Sequence, residues 1–136
     1  QGVETRLRLG RPSLRRDQAR RYVGQGALGI ECRADRSDLI AAIAPLDDAP
    51  TRWCVEAERA VSRALAGSCQ VPLGGYAELT GNRARLRGFV ASPDGKRMVF
   101  DEVSAPAGSS PADLGVPLAE RLIARGAREI LAALHK

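Results

Sequence analysis

GYAELTGNRARLRGFVASPDGKRMVFDEVSA, residues 75–105, decides the fold because it holds three β-strand patterns separated by two turn signals. We predict strands at 75–80, 83–91 and 96–105. Gly81-Asn82 fills the first gap and Pro93-Asp94-Gly95 the second, and these residue types are typical of tight turns. Short turns join antiparallel neighbours, so the stretch predicts a three-stranded antiparallel meander.

The middle strand alternates small or apolar residues with arginines: Ala84, Leu86 and Val90 against Arg83, Arg85 and Arg87. Successive side chains of a strand point to opposite faces of the sheet. The sheet is therefore predicted to have one covered face and one charged face. The three arginines are interpreted as a solvated sheet face in preference to a ladder that binds nucleic acid.

A helix is predicted immediately before the sheet, from Thr51 to about Leu65. It begins after two carboxylates and Pro50, which suit a helix start, and Gly67 ends it. Its buried stripe recurs at every fourth residue: Trp53, Ala57, Val61 and Leu65. The charged residues of this helix are expected to face water: Glu56, Glu58, Arg59 and Arg63.

A second helix is predicted after the sheet, with Ser110 as its cap, Pro111 in its first position and Asp113 in its third. Its inner face is formed by Leu114, Leu118 and Leu122, and Gly126 is expected to bend it. Residues 50–136 are therefore predicted to form an α+β unit in which helices cover one face of a three-stranded antiparallel sheet.

Residues 22–49 do not obviously belong to that unit. YVGQGALGIECR, residues 22–33, reads as a strand entered through Gly24-Gln25-Gly26, and DRSDLIAAIAPL, residues 35–46, reads as a short helix. The glycine pattern precedes the strand, so it is not a dinucleotide-binding fingerprint. We divide the chain into a basic segment at 1–21, a strand–helix piece at 22–49 and a C-terminal domain at 50–136.

The net charge of +5 lies entirely in residues 1–21, which hold seven arginines against Glu4 and Asp17. Such an arm could contact a polyanion, so a small basic nucleic-acid-binding module is an alternative function, although the 4% aromatic content argues against base stacking.

No apolar run approaches the roughly 18 residues of a membrane span, and no secretory signal is recognised. The start at Gln-Gly-Val indicates an excerpt or a processed piece.

Three widely spaced cysteines, Cys32, Cys54 and Cys69, and one histidine, His135, fit neither a zinc site nor a disulfide framework. A reducing cytosol is therefore the expected compartment. Cys32 and Cys54 are interpreted as small apolar fillers. Cys69 differs from both because it follows a helix within a turn, LAGSCQVPLGGYA at 65–77. There it is either a small residue at a helix end or a thiol that an incoming molecule can reach.

Two ordered motifs resemble the C-terminal part of the porphobilinogen deaminase (hydroxymethylbilane synthase) family. They are VGQGALGIECR at 23–33 and AERAVSRALAGSCQVPLGGYAEL at 57–79, with Ser68 where a second glycine is usual and Leu73 in place of isoleucine. The stretch from Asp94 to Leu131, which contains GAREIL, is similar to the end of the family. The resemblance covers roughly residues 22–136 and, more weakly, residues 1–10, whereas the stretch GRPSLRRDQARRY at 10–22 departs from it.

The resemblance implies a cytoplasmic, monomeric, three-domain transferase of tetrapyrrole biosynthesis, which supplies porphyrin and heme. The family joins four porphobilinogen molecules into hydroxymethylbilane and releases ammonia at each step. It builds on a dipyrromethane primer held by a thioether, which the motif places on Cys69. A thiolate suits this role because it traps the electrophilic methylene left when an aminomethylpyrrole loses ammonia.

By the same resemblance, Gln25 and Gly26 lie near the cofactor and the growing pyrrole chain. Residues 50–136 correspond to the third domain, and residues 22–46 return to complete the first. The acid–base aspartate and the arginines that hold the substrate precede this segment in the family, so no residue of this chain is assigned as catalytic. The chain by itself is expected to be inactive and to require the upstream first and second domains as partners.

Overall fold

The computed structural model describes residues 23–65 and 73–133. Its helices and strands in chain order are α1 (Ser37–Ile43), a 3-10 turn (Ala44–Leu46), α2 (Ala49–Ala64), β1 (Leu73–Thr80), β2 (Arg83–Ala91), β3 (Met98–Pro106), α3 (Pro111–Ala124) and α4 (Ala127–Ala132). The strands form one antiparallel sheet in the order β1-β2-β3. The predicted α+β class and the three-stranded meander are confirmed.

The strand register places apolar side chains opposite one another on a single face of the sheet. Leu86 of β2 pairs with Ala77 of β1 and with Val103 of β3, and all three are buried. Helices α2 and α3 cover this face. The alternation predicted for the middle strand is therefore confirmed, with the apolar positions facing the core and the arginines on the opposite face.

Helix α2 begins where the sequence predicted, within two residues. Asp48 is its cap, since a carboxylate oxygen of Asp48 accepts a hydrogen bond from the Thr51 N–H at 3.1 Å. The predicted stripe is formed by Ala57, Val61 and Leu65, which are buried, and by Trp53, which is half-buried. The indole Nε1–H of Trp53 donates to the backbone carbonyl of Ser109 at 2.9 Å, which joins α2 to the loop before α3.

One prediction about α2 is wrong. Glu58 was expected to face water together with Glu56, Arg59 and Arg63, and those three are exposed, but Glu58 is only 6% exposed. Its carboxylate is buried because backbone N–H groups from two other segments meet it there. This contact lies at the candidate functional site.

Helix α3 begins with the predicted capping box. The Ser110 hydroxyl accepts from the Asp113 N–H at 3.2 Å, and the Asp113 carboxylate accepts from the Ser110 N–H at 2.8 Å. Gly126 has a φ of 101°, a left-handed conformation that favours glycine, and it separates α3 from α4. The bend predicted at Gly126 is thus a complete break between two helices.

Glycine at position 115 allows α2 and α3 to pack very closely. A Cβ atom added to Gly115 would lie 2.4 Å from the Cβ of Ala60 and 3.0 Å from the carbonyl oxygen of Ala57. Neither neighbour can move without shifting the α2 backbone. The helix pair therefore depends on Gly115 having no side chain.

The segment before α2 differs from the predicted one. Helix α1 lies within the predicted range 35–46, but residues 23–33 form turns and irregular chain instead of a strand. A strand needs a neighbour that accepts and donates its backbone hydrogen bonds, and no strand of the described ranges lies beside this segment. None of the residues of α1 is buried. No helix in the described ranges is both long and apolar enough to cross a membrane.

Candidate functional site

Residues 24–27 form a tight turn that presents Gln25 to solvent. The Ala27 N–H donates to the Gly24 carbonyl at 3.3 Å, and Gly26, in the third position of the turn, has a φ of 82°. A positive φ at the third position is typical of a type II turn and explains why a glycine is needed there. Gln25 occupies the second position and is exposed.

The carboxylate of Glu58 holds the base of this turn. One oxygen, Oε2, accepts from the Gly24 N–H at 2.7 Å, and the other, Oε1, accepts from the Ala77 N–H at 2.9 Å. Hydrogen bonds from neutral donors to an ionised carboxylate are stronger than those between neutral groups. Glu58 therefore joins three segments, namely the turn, helix α2 and strand β1.

Strand β1 is an edge strand, and Val23, the residue before the turn, lies close to it. Val23 packs against the core cluster, and its Cγ2 atom would lie 3.5 Å from a Cβ added to Gly75. The Cγ atom of Glu58 would lie 3.7 Å from the same point. A methyl group at Gly75 would therefore make only ordinary contacts with Val23 and Glu58. The Glu58 carboxylate binds the Ala77 N–H, a backbone group that an edge strand would otherwise leave open.

Cys69 lies outside the described residues, and so do Gly67, His135 and the basic segment 1–21. The two residues that bound the interval 66–72 are described, and both Leu65 and Leu73 belong to the buried core. A strand advances about 3.3 Å per residue, so Gly75 follows Leu73 by about 7 Å. The turn that carries Gln25 and Gly26 is therefore placed against the beginning of the strand that leads out of the Cys69 interval.

The space beside Gly26 is open. No described atom lies within 4 Å of the position that a Cβ would take there. A flat ring or a carboxylate can therefore approach the backbone of this turn closely. Gln25 adds an amide that can both donate and accept hydrogen bonds.

Two further cysteines lie within the described residues. Cys54 is half-buried and packs against the core, and Cys32 is half-buried as well. The described residues contain no cluster of three or more histidine, cysteine, aspartate or glutamate side chains that could hold a metal ion.

The charged face of the sheet contains paired charges instead of a cationic ladder. Arg85 lies 2.5 Å from a carboxylate oxygen of Glu102 and 4.0 Å from one of Glu78, and Arg87 lies 3.6 Å from Glu78. The Arg87 guanidinium also lies 5.4 Å from the centre of the Tyr76 ring. Because acidic side chains stand between the arginines, this face offers little net positive charge to a polyanion.

Glu58 is the site residue that the sequence reasoning missed. The signal was present, since Glu58, Val61 and Leu65 are spaced three and seven residues apart and such residues share a helix face. An acidic residue on the apolar face of a helix indicates a buried partner. The identity of that partner, however, depends on two backbone groups far away in the sequence.

Comparison with known proteins gives consistent matches. Residues 52–124 match the family model described as porphobilinogen deaminase, C-terminal domain. The porphobilinogen deaminase of Methylobacillus flagellatus is 51% identical over 133 residues, which is 98% of this chain and 42% of that protein. The porphobilinogen deaminase of Nitrosomonas europaea is 56% identical over 112 residues, which is 82% of this chain and 36% of that protein. The chain thus spans roughly two fifths of the length of these curated relatives.

Proposed function

The chain belongs to the porphobilinogen deaminase family, and we propose that it is the C-terminal part of an enzyme that joins four porphobilinogen molecules into hydroxymethylbilane, with release of ammonia. Such an enzyme is a transferase of tetrapyrrole, and hence porphyrin and heme, biosynthesis. The observation that carries the proposal is the family match over residues 52–124, which spans the interval that contains Cys69.

Cys69 is the proposed attachment point of a dipyrromethane primer. When bound, that group supplies the pyrrole carbon to which porphobilinogen units are joined. Cys69 would hold this group through a thioether: the protonated aminomethyl group of a pyrrole would lose its C–N bond and leave as ammonia, the sulphur would form a C–S bond to the methylene carbon, and the thiol proton would pass to solvent. Cys69 is thus an anchor that is not regenerated in each cycle.

Gln25 and Gly26 are proposed to contact the primer and the growing pyrrole chain. Three observations support this role: Gln25 is exposed at the tip of a tight turn, the space beside Gly26 is open, and the turn packs against the strand that follows the Cys69 interval. A backbone N–H or the Gln25 amide could bind the carboxylates of porphobilinogen.

Residues 22–49 are proposed to complete an upstream domain of the same polypeptide. Support comes from the apolar residues that this segment leaves exposed, namely Leu28 at 49%, Leu39 at 40% and Leu46 at 44%. The acid–base and substrate-clamping residues are proposed to lie in the upstream first and second domains, so this chain alone is inactive. We propose a cytoplasmic monomer for the whole enzyme, and its compartment is supported by three widely spaced cysteines that do not fit a disulfide framework.

The test uses the complete parent polypeptide, the variant Cys69→Ser and the control variant Cys54→Ser. We expect the wild type and Cys54→Ser to consume porphobilinogen and to have an intact mass increased by two linked pyrrole units. Cys69→Ser is expected to lose both the added mass and the activity, because serine is a much weaker nucleophile and cannot form a thioether. A wild type that does not consume porphobilinogen would refute the proposed function.

A further inference from the structure

Glu58 is the one charged side chain that is buried in the described ranges. Burying a carboxylate is costly unless its oxygens are hydrogen-bonded. Each Glu58 oxygen accepts a backbone N–H, from Gly24 at 2.7 Å and from Ala77 at 2.9 Å. An apolar residue would fill the same space without the cost of desolvating a charge. What the carboxylate adds is a hydrogen-bonded connection between two segments of the chain.

Those two segments flank the two parts of the proposed site. Gly24 immediately precedes Gln25, so its hydrogen bond fixes the backbone at the base of the turn. Ala77 lies on β1, the strand that begins directly after the interval containing Cys69. Glu58 itself lies on α2, which ends directly before that interval. One carboxylate therefore connects the chain on both sides of Cys69 to the turn that carries Gln25 and Gly26.

We propose that Glu58 is a positioning residue, which holds the Gln25–Gly26 turn against strand β1 so that the turn meets the pyrrole chain in one fixed orientation. This inference rests on the proposed function. A displacement of about 1 Å between reacting groups and the residues that position them can reduce a rate about a hundredfold. Loosening the turn should therefore affect turnover even in a protein that remains folded.

Two substitutions of Glu58 distinguish a role in positioning the turn from a requirement for its negative charge. Glu58→Gln keeps the shape of the side chain but replaces one acceptor oxygen by an NH2 group, which cannot accept from a backbone N–H. Glu58→Asp keeps the charge but is one methylene shorter, so it cannot reach both N–H groups at once. Positioning predicts that both variants are impaired, whereas a requirement for charge alone predicts that Glu58→Asp is normal.

The experiment measures kcat and KM for porphobilinogen in the complete parent enzyme, at a temperature at which circular dichroism shows each variant to be folded. Glu56→Gln is the matched control, because Glu56 is two residues away on the same helix and is exposed. We expect kcat/KM to fall about tenfold to a hundredfold in Glu58→Gln and Glu58→Asp and to be unchanged in Glu56→Gln. The primer should remain attached to Cys69 in all of them.

A double-mutant cycle with Gln25→Ala tests whether Glu58 acts through the turn. If it does, Glu58→Gln lowers kcat/KM much less in the Gln25→Ala background than in the wild type. A folded Glu58→Gln enzyme with the wild-type kcat/KM, or effects of the two substitutions that simply add, would overturn the inference. If the wild-type enzyme consumes porphobilinogen in that same experiment, the proposed function stands even when the inference about Glu58 fails.

The variant Val23→Ala tests the same inference if both Glu58 variants fail to fold. It weakens the contact between the turn and the core cluster without changing the carboxylate, and Val23 is only half-buried, so the fold should tolerate it. We expect kcat/KM to fall about fivefold or more because the same turn is loosened. An unchanged kcat/KM in Val23→Ala would overturn the inference.

Discussion

The two regions of this molecule owe their positions to different kinds of contact. Residues 73–133 and helix α2 share one apolar core, in which Leu86, Leu114, Leu118 and Leu122 are completely buried. Residues 23–46 contribute no buried residue and are held chiefly at one end, by Val23 and by the hydrogen bond from Gly24 to Glu58. The first region can specify its own fold, whereas the second needs additional surface to pack against.

The largest expected effect contrasts one leucine from each region. Leu118→Ala should lower the free energy of unfolding by about 2–5 kcal/mol, because it leaves a cavity in a fully buried position. Leu39→Ala in α1 should change it by less than about 0.5 kcal/mol, because Leu39 is exposed. Urea unfolding followed by Trp53 fluorescence measures both. Equal losses would show that Leu39 is packed as tightly as Leu118 and would contradict the contrast between the two regions.

The next effect compares the same substitution at two glycines. Gly115→Ala should destabilise the fold by about 1–3 kcal/mol, because the new methyl group would overlap Ala60. Gly75→Ala, where the turn meets β1, should cost less than about 0.5 kcal/mol because its methyl group would make only ordinary contacts, at 3.5 Å and beyond. Thermal unfolding of both variants checks the contrast, and a tolerated Gly115→Ala would refute the close crossing of α2 and α3.

The sequence predicted the first region well because its signals are local. The alternation of Ala84, Leu86 and Val90 with arginines can be recognised from neighbouring residues alone. The capping box at Ser110 likewise involves only residues three positions apart. Prediction failed where distant segments decide the outcome. Glu58 is buried because of Gly24 and Ala77, which are 34 and 19 residues away, and the strand predicted over 22–33 has no described neighbour to pair with.

The candidate site was less predictable from local sequence patterns than the fold of the first region. Cys69, Gln25 and Gly26 were proposed from a motif resemblance, and no periodicity or composition would have singled them out. The placement of the Gln25–Gly26 turn beside β1 is a property of the fold, since the Glu58 carboxylate accepts a hydrogen bond from each of these two segments. A single sequence does not reveal such a contact, because each of its members is unremarkable by itself.

A smaller effect is expected for the cap of α3. Ser110→Ala should cost about 1 kcal/mol, because the Asp113 N–H loses its acceptor. Ser109→Ala is the matched control, since Ser109 contacts Trp53 through its backbone carbonyl, which the substitution keeps. Chemical denaturation of the two variants measures the difference. A Ser109→Ala variant as unstable as Ser110→Ala would contradict the assigned role of the hydroxyl.

The smallest effect concerns pH. The pKa of Asp101 is lowered by a hydrogen bond from the Glu102 N–H and, in addition, by Arg125, whose Nε lies 2.8 Å from the carboxylate. A carboxyl whose pKa is lower in the folded state stabilises the fold above its unfolded pKa of about 3.9 and loses that contribution as the pH falls through the folded value. Asp101→Asn should therefore cost less than about 1 kcal/mol at pH 7, and less at pH 2 than at pH 7, in denaturation curves recorded at both pH values. A cost that is the same at both pH values would contradict this account.

The most direct test of the central claim is to digest the complete parent enzyme after purification and to analyse the peptide that contains Cys69 by mass spectrometry. The account predicts that this peptide carries two linked pyrrole units on its sulphur, and that the peptides with Cys32 and Cys54 are unmodified. An enzyme that makes hydroxymethylbilane at its full rate while Cys69 remains a free thiol would contradict it.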